Sequence, residues 1–268
     1  DLVITYYLKN IADSASNLKI EIMDTTLKTI KSYSPKASKE SEKLKPKKGL
    51  NQMSWDMHYA DAEKFEGMIL WNGDLSGPMA PPGNYYVKMV CGKDSVIQMF
   101  RLKKPTNIEA SDADLKAQFD LSLKIRDQLS EVNKTVEKIR SIRNQMNTVI
   151  SKAEQDSTIK KQLTALKDTI NKKITAIEEA LYQTKLKAGQ DILNFPVMLN
   201  DKIAGVYEAV KSGNSKPPQQ CYAVFEDLSA KADGYLKNLN AIINTDLKSF
   251  NDMVISGKVP PVYIKSDK

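Results

Sequence analysis

Histidine is almost missing from this chain: His58 is the only one in 268 residues, and cysteine and tryptophan each occur only twice. These scarcities remove whole classes of chemistry. One histidine and two distant cysteines, Cys91 and Cys221, give no zinc-type ligand spacing and no His-Glu-x-x-His helix. A histidine base would have to be His58, beside Asp56 in Trp55-Asp56-Met57-His58-Tyr59, and the sequence identifies no nucleophile or metal to work with it. His58 therefore reads as a strand or turn residue. Cys91 and Cys221 allow one disulfide, but they fall in different expected domains, so two separate, mostly buried thiols are expected. There is no glycine-rich phosphate loop, because the glycines of 73–83 are mixed with prolines, which lack the amide such a loop presents. No apolar run nears the ~18 residues that a membrane-spanning helix needs.

A concentrated charge is also lacking. The net charge is +7, but residues 1–105 hold 16 Lys/Arg against 12 Asp/Glu and the remainder holds 24 against 21. Nucleic-acid binders gather charge on one face or tail, so this spread argues against a nucleic-acid partner. The densest cluster, Lys36, Lys39, Lys43, Lys45, Lys47 and Lys48, is interrupted by Glu40 and Glu42 and reads as a solvated loop. Facing carboxylates are missing too. Glu178 and Glu179 would point apart on a helix, and Asp112 and Asp114 do not share a face. Neither pair resembles the two acids of a glycosidase. No cofactor is implied.

What is present divides near Pro105. Before it the signals are β: Leu2 to Tyr7, then Leu18, Ile20 and Ile22 alternating with Lys19 and Glu21, then Leu27 and Ile30 after a turn at Asp24-Thr25. Leu50 to Met57 follows with Met53, Trp55 and Met57 on one face. Tyr85, Val87 and Met89 alternate with Tyr86, Lys88 and Val90, and Val96 to Leu102 closes the set through a turn at Cys91-Gly92-Lys93-Asp94. Short alternating strands at this spacing predict an antiparallel β-sandwich over 1–105. The stretch GPMAPPGNYYVKM, from Gly77, stiffens the chain with prolines just before the last hairpin, and Gly83 is expected to turn it sharply at positive φ. Since the chain opens inside an apparent strand, it reads as a piece of a longer protein.

After Pro105 the period changes to three and four. Ile125, Leu129, Val132, Val136, Ile139, Ile142, Met146 and Val149 predict a helix of about 40 residues capped by Ser111. A turn is expected over Ala153–Ser157. Ile159 to Leu181 continues as a second stripe that Gly189 breaks. A shorter helix follows Pro196, then a connector over Gly213–Pro218. A last helix runs from Tyr222 through Phe225, Leu228 and Leu236 to Phe250, ending at Gly257 and Pro260-Pro261. One-sided stripes with short connections predict an elongated antiparallel bundle of about four helices over 106–268.

Three aromatic residues, Trp71, Tyr85 and Tyr86, are the candidates for ligand binding, as a stacking platform for a sugar. Trp71 is the best placed of them for exposure. Asn133-Lys134-Thr135 fits a glycosylation acceptor but lies inside an expected helix.

Longer stretches carry a family resemblance. They are Tyr6-Tyr7-Leu8-Lys9, Leu18-Lys19-Ile20-Glu21-Ile22-Met23-Asp24, Gly49-Leu50-Asn51 with Trp55-Asp56-Met57-His58-Tyr59, and Gly77-Pro78-Met79-Ala80-Pro81-Pro82-Gly83-Asn84-Tyr85. In the second half they are Gln118-Phe119-Asp120-Leu121, Asn194-Phe195-Pro196 with Leu199-Asn200-Asp201-Lys202-Ile203, and Tyr222-Ala223-Val224-Phe225-Glu226-Asp227-Leu228. Together they resemble the C-terminal region of large secreted bacterial proteins with sortilin-like, sialidase-type (BNR-repeat) β-propellers, often labelled glycosyl hydrolases. The chain departs from that pattern at His58, where relatives tend to have arginine, and in a longer lysine-rich loop. The resemblance implies an Ig-like domain similar to that of the flagellar-hook-capping protein, followed by a helical region. It further implies a secreted, periplasmic or cell-surface location and a propeller of the same parent protein as partner. It carries no catalytic residue onto this chain. The function it implies is a noncatalytic accessory region that braces the propeller or mediates assembly. The alternative is a carbohydrate-binding module serving a glycoside hydrolase.

Overall fold

The computed structural model describes residues 1–9, 17–71, 73–153 and 157–257. The alternating first part forms β1 (Leu2–Leu8), β2 (Leu18–Met23), β3 (Thr29–Tyr33), β4 (Gly49–Trp55), β5 (Gly83–Cys91) and β6 (Asp94–Leu102). They make two antiparallel sheets. β1 pairs with β4, from Leu2 opposite Trp55 to Leu8 opposite Gly49, and the other sheet runs in the order β3-β2-β5-β6. Alternation sends every second side chain inward. Leu8, Met53 and Trp55 of the first sheet join Leu18, Ile20, Ile22, Tyr85 and Leu102 of the second in one buried cluster. Trp55 is fully buried at its centre and meets Tyr85 and Phe100 edge-on at 5.9 and 6.2 Å.

Three expectations for this part need correction. The strand expected to run to Met57 ends at Trp55, because Met57 takes φ +58; its half-buried side chain still packs on the core. Leu27 is a turn residue, not a strand residue, at φ +64 and 56% exposed. The Asp24 carboxylate holds that turn by accepting from the Thr26 amide (2.8 Å), the Thr26 hydroxyl (2.6 Å) and the Lys28 amide (3.1 Å). Gly83 does not turn the chain at positive φ; it opens β5 opposite Leu102, and the positive φ falls at Gly92 in the hairpin.

The proline-rich stretch before β5 makes its own backbone pairing. The Tyr59 amide donates to Pro78 O (2.9 Å) and the Ala80 amide to Met57 O (2.7 Å), with His58 bridged to Met79. Gly77 lies so close to the Tyr59 and Ala60 carbonyls that a Cβ there would collide with them. Tyr85 closes the arrangement, its hydroxyl donating to Pro81 O at 2.7 Å.

The second part is helical: α1 (Asp112–Lys152), α2 (Ser157–Leu181), α3 (Leu199–Lys211) and α4 (Gln219–Ile242), which continues through a π-helical turn (Ile243–Leu247) into α5 (Lys248–Ser256). Ser111 caps α1 as its position predicts. Its hydroxyl accepts from the Asp114 amide (3.1 Å), and the Asp114 carboxylate accepts from the Ser111 amide (3.2 Å). The 41 residues of α1 span ~60 Å at ~1.5 Å per residue. Its stripe, Ile125 to Met146, is buried as the spacing requires. α2 ends at Leu181, well before Gly189, which opens a separate 3-10 turn (Gly189–Leu193). α2 packs against α4, the π turn and α5. The expected turn at Ala153–Ser157 and the stop at Pro260-Pro261 fall, at 154–156 and 260–261, outside the described residues.

The chain forms two compact units. One comprises 1–61, 76–123 and 211–217; the other comprises 62–75, 124–210 and 218–268. The connection 62–75 therefore belongs with the helices, and the first three turns of α1 belong with the strands.

Candidate functional site

The three aromatic candidates have different fates. Tyr85 is a core residue, 4% exposed, whose ring packs on Trp55 and stacks on Phe100 at 5.9 Å. Tyr86 lies on the other face of β5, half-buried between Met23 and Met99 across the strands. Trp71 is in the other unit and is 55% exposed, with its amide donating to Asp201 Oδ2 at 3.2 Å. Neither unit brings two of these rings together as an exposed platform.

His58 serves the turn it sits in. Its Nδ1 lies 2.7 Å from Asp56 O, its amide donates to Asp56 Oδ1 (3.0 Å), and its carbonyl accepts from Trp55 Nε1 (2.9 Å). Burial pushes the Asp56 carboxyl up, but the Lys31 ammonium at 2.9 Å and the His58 amide outweigh it and hold Asp56 below the usual carboxylate range. Burial raises the nearby Tyr33 phenol, and the charges of Asp56 and Glu42 add to that rise. These three hydrogen bonds hold the turn after β4.

The lysine-rich loop is a mixed-charge surface. Lys39 pairs with Asp61 at 2.8 Å, Lys45 with Glu40 at 2.8 Å, and Lys43 with Glu40 at 3.4 Å, while Leu44 turns into the core. Asn133 is 1% exposed, and its Nδ2 donates to Glu63 O at 2.8 Å, which makes it a buried bracket and not an acceptor at the surface. No disulfide joins the half-buried Cys91 and Cys221.

The most developed polar constellation is one that spacing did not bring together. Glu178, 4% exposed, accepts from Arg140 Nε and from an Arg143 guanidinium nitrogen, both at 2.8 Å. Arg143 also reaches Thr175 Oγ1 (3.1 Å), and the Arg140 guanidinium lies over Phe65, 4.6 Å from the ring centroid. Phe65 meets Tyr182 edge-on at 4.9 Å, and the Tyr182 hydroxyl accepts from the Ile69 amide at 3.1 Å. Around this centre further contacts fasten the segment 62–75 to the helices. The Glu63 amide donates to Ser130 Oγ (3.1 Å), Glu63 O accepts from Asn133, and Trp71 reaches Asp201. Gly73 lies so close to Ala204 that a side chain there would collide with it. A buried carboxylate needs this much compensation, and two guanidinium groups supply it. Paired with both guanidinium groups, Glu178 anchors the packing around the strap. The sequence did hold a signal: Glu178 stands on the apolar stripe of α2, between Ile174 and Leu181.

Among the described residues no group of three His, Cys, Asp or Glu is placed to hold a metal ion, and no helix is long and apolar enough to cross a membrane. No protein-family model, curated protein or solved structure matches the chain.

Proposed function

We propose that this chain is a noncatalytic accessory and interaction region. In this reading the two sheets form an Ig-like β-sandwich and the helices an antiparallel bundle, appended to a secreted β-propeller that the chain braces or helps to assemble. One observation carries it: the side chains best suited to chemistry hold the chain's own segments in place. His58 fixes the turn after β4, and Glu178, Arg140, Arg143 and Asn133 fix the strap 62–75. What faces outward instead is apolar surface on the strands, namely Val3, Tyr7 and Leu50 of β1 and β4, and Val96, Ile97 and Met99 of β6. The propeller partner and the secreted location rest on the resemblance alone.

Exposed Trp71 keeps the carbohydrate-binding alternative open to test, with Tyr85 buried and Tyr86 half-buried. The deciding experiment is a broad glycan array probed with the purified chain and with Trp71→Ala. The accessory reading expects no Trp71-dependent signal. Specific binding that Trp71→Ala abolishes would replace it with the carbohydrate module. Because the Trp71 ring is exposed, the variant should fold as the parent does, so lost binding would report on the ring itself.

A further inference from the structure

Among the described residues, strand β6 is an edge without the usual protection. An edge strand presents a row of unpaired N–H and C=O groups, and natural proteins blunt it with shortness, lysine, proline or a bulge. β3, the opposite edge of the same sheet, has several of these: it is five residues long, carries Lys31 at its centre, is followed by Pro35, and borders a register break at Ile22/Met23. β6 is nine residues long, has neither lysine nor proline, and pairs with β5 without a break. Its apolar side chains are exposed on both faces, Val96 on one (56%) and Ile97 and Met99 on the other (49% and 55%).

The tight hairpin fixes which backbone groups face outward. Gly92 at φ +62 and Lys93 form a two-residue turn closed by Cys91 and Asp94. The closing pair of such a hairpin exchanges its hydrogen bonds, and the ladder then alternates, so Ser95, Ile97, Met99 and Arg101 turn their N–H and C=O groups away from β5.

We propose that this edge pairs with β6 of a second copy of the chain, antiparallel about a two-fold axis at Gln98, fusing two four-stranded sheets into one. A two-fold axis normal to the sheet keeps each face on its own side, so it pairs odd residues with odd and even with even. Centred on Gln98, it sets Ile97 opposite Met99 and Ser95 opposite Arg101, which are the positions with outward backbone groups. Val96 meets Phe100 on the other face. Within β6 apolar then meets apolar on both faces and no like charges are opposed, while just beyond its ends Lys93 faces Lys103. Centring on Ile97 would set Ser95 opposite Met99 and Val96 opposite Gln98, mixing polar with apolar on both faces, and centring on Met99 would place Ile97 opposite Arg101. Side-chain complementarity thus selects the Gln98 register. The inference goes beyond the accessory reading and does not depend on it.

The test is sedimentation velocity on the full chain at physiological salt. A single edge pairing buries less than the ~1,600 Å² of a standard interface, so dimer should grow in over the micromolar range, up to about 200 μM. Ile97→Lys should remain monomeric throughout, whereas Val3→Lys, a charge at a similarly exposed position on β1, should dimerise like the parent. Gln98→Cys, in a Cys91→Ser/Cys221→Ser background, tests the register. Opposed non-hydrogen-bonded residues have Cα atoms ~4.5 Å apart, within disulfide range, so mild oxidation should give a covalent dimer. A parent chain that stays monomeric at every concentration overturns the proposal, as does association that Ile97→Lys leaves intact. Failure of Gln98→Cys to cross-link in a chain that does dimerise overturns the register.

Discussion

The Arg140 guanidinium covers the Phe65 ring at 4.6 Å, and the same group donates to the buried Glu178 carboxylate at 2.8 Å. One side chain thus fastens the strap 62–75 to α1 and α2 by its flat face and neutralises a buried charge by its edge. Arginine suits this double role because its planar fork stacks and hydrogen-bonds at once, which lysine does not do.

Removing the carboxylate charge should be costly. Glu178→Gln leaves Arg140 and Arg143 without their counter-ion. Breaking a buried pair typically costs ~3–5 kcal/mol, but both arginines keep some solvent access, so we expect about 2–3 kcal/mol. Urea denaturation measures it. Phe65→Leu should cost about 1–2 kcal/mol by losing the aromatic and cation–π contacts. The double variant Phe65→Leu/Arg140→Met should then fall short of the sum of its singles by roughly 0.5–1 kcal/mol. Strict additivity would mean that the two groups do not couple.

Two glycines should respond in opposite directions to the same change. Gly77→Ala drives a methyl into the Tyr59 and Ala60 backbone, which cannot swing aside as a side chain could. Overpacking costs ~1–3 kcal/mol, and a backbone collision belongs at the top of that range. Gly234 sits exposed inside α4 with open space where its Cβ would go. Gly234→Ala should therefore stabilise by about 0.5–1 kcal/mol, through lower entropy in the unfolded chain and better helix propensity. Thermal melts of both variants beside the parent decide the point.

Features set by neighbours in sequence were legible in advance. The β5–β6 hairpin turns at Gly92, Ser111 caps α1, and the stripe of α1 faces inward, because each depends on a few adjacent residues. Tyr85 and Tyr86 were not separable: alternation assigns them to opposite faces of β5, but both are aromatic and nothing local says which face is inward. Trp55 settles it, from a strand that ends 30 residues earlier in the chain. The Glu178 cluster was hidden for a similar reason, since its arginines lie 38 and 35 residues away on another helix. The strap 62–75 has no periodicity of its own, and its attachment to the helices is written in single contacts.

Acid should loosen the strand-rich unit through Asp56 and Asp61. Burial pushes both carboxyls up. Lys31 and the His58 amide reverse this at Asp56, and Lys39 and the Gly77 amide reverse it at Asp61, leaving both below the usual range. In the unfolded chain each returns to about 3.9. A folded value below the unfolded one means that the unfolded state binds the more protons as pH falls, so stability is fully present above about pH 5 and drains away through and below pH 4. The urea midpoint of the parent should accordingly be level near neutrality and fall in acid. Asp61→Asn provides the internal check. It should be less stable than the parent at pH 7, where the charged Asp61 holds Lys39 and the Gly77 amide, and the gap should narrow steadily toward pH 3 as the parent loses that charge. A gap that stays constant with pH would mean that Asp61 acts through shape alone and that its ionisation contributes nothing.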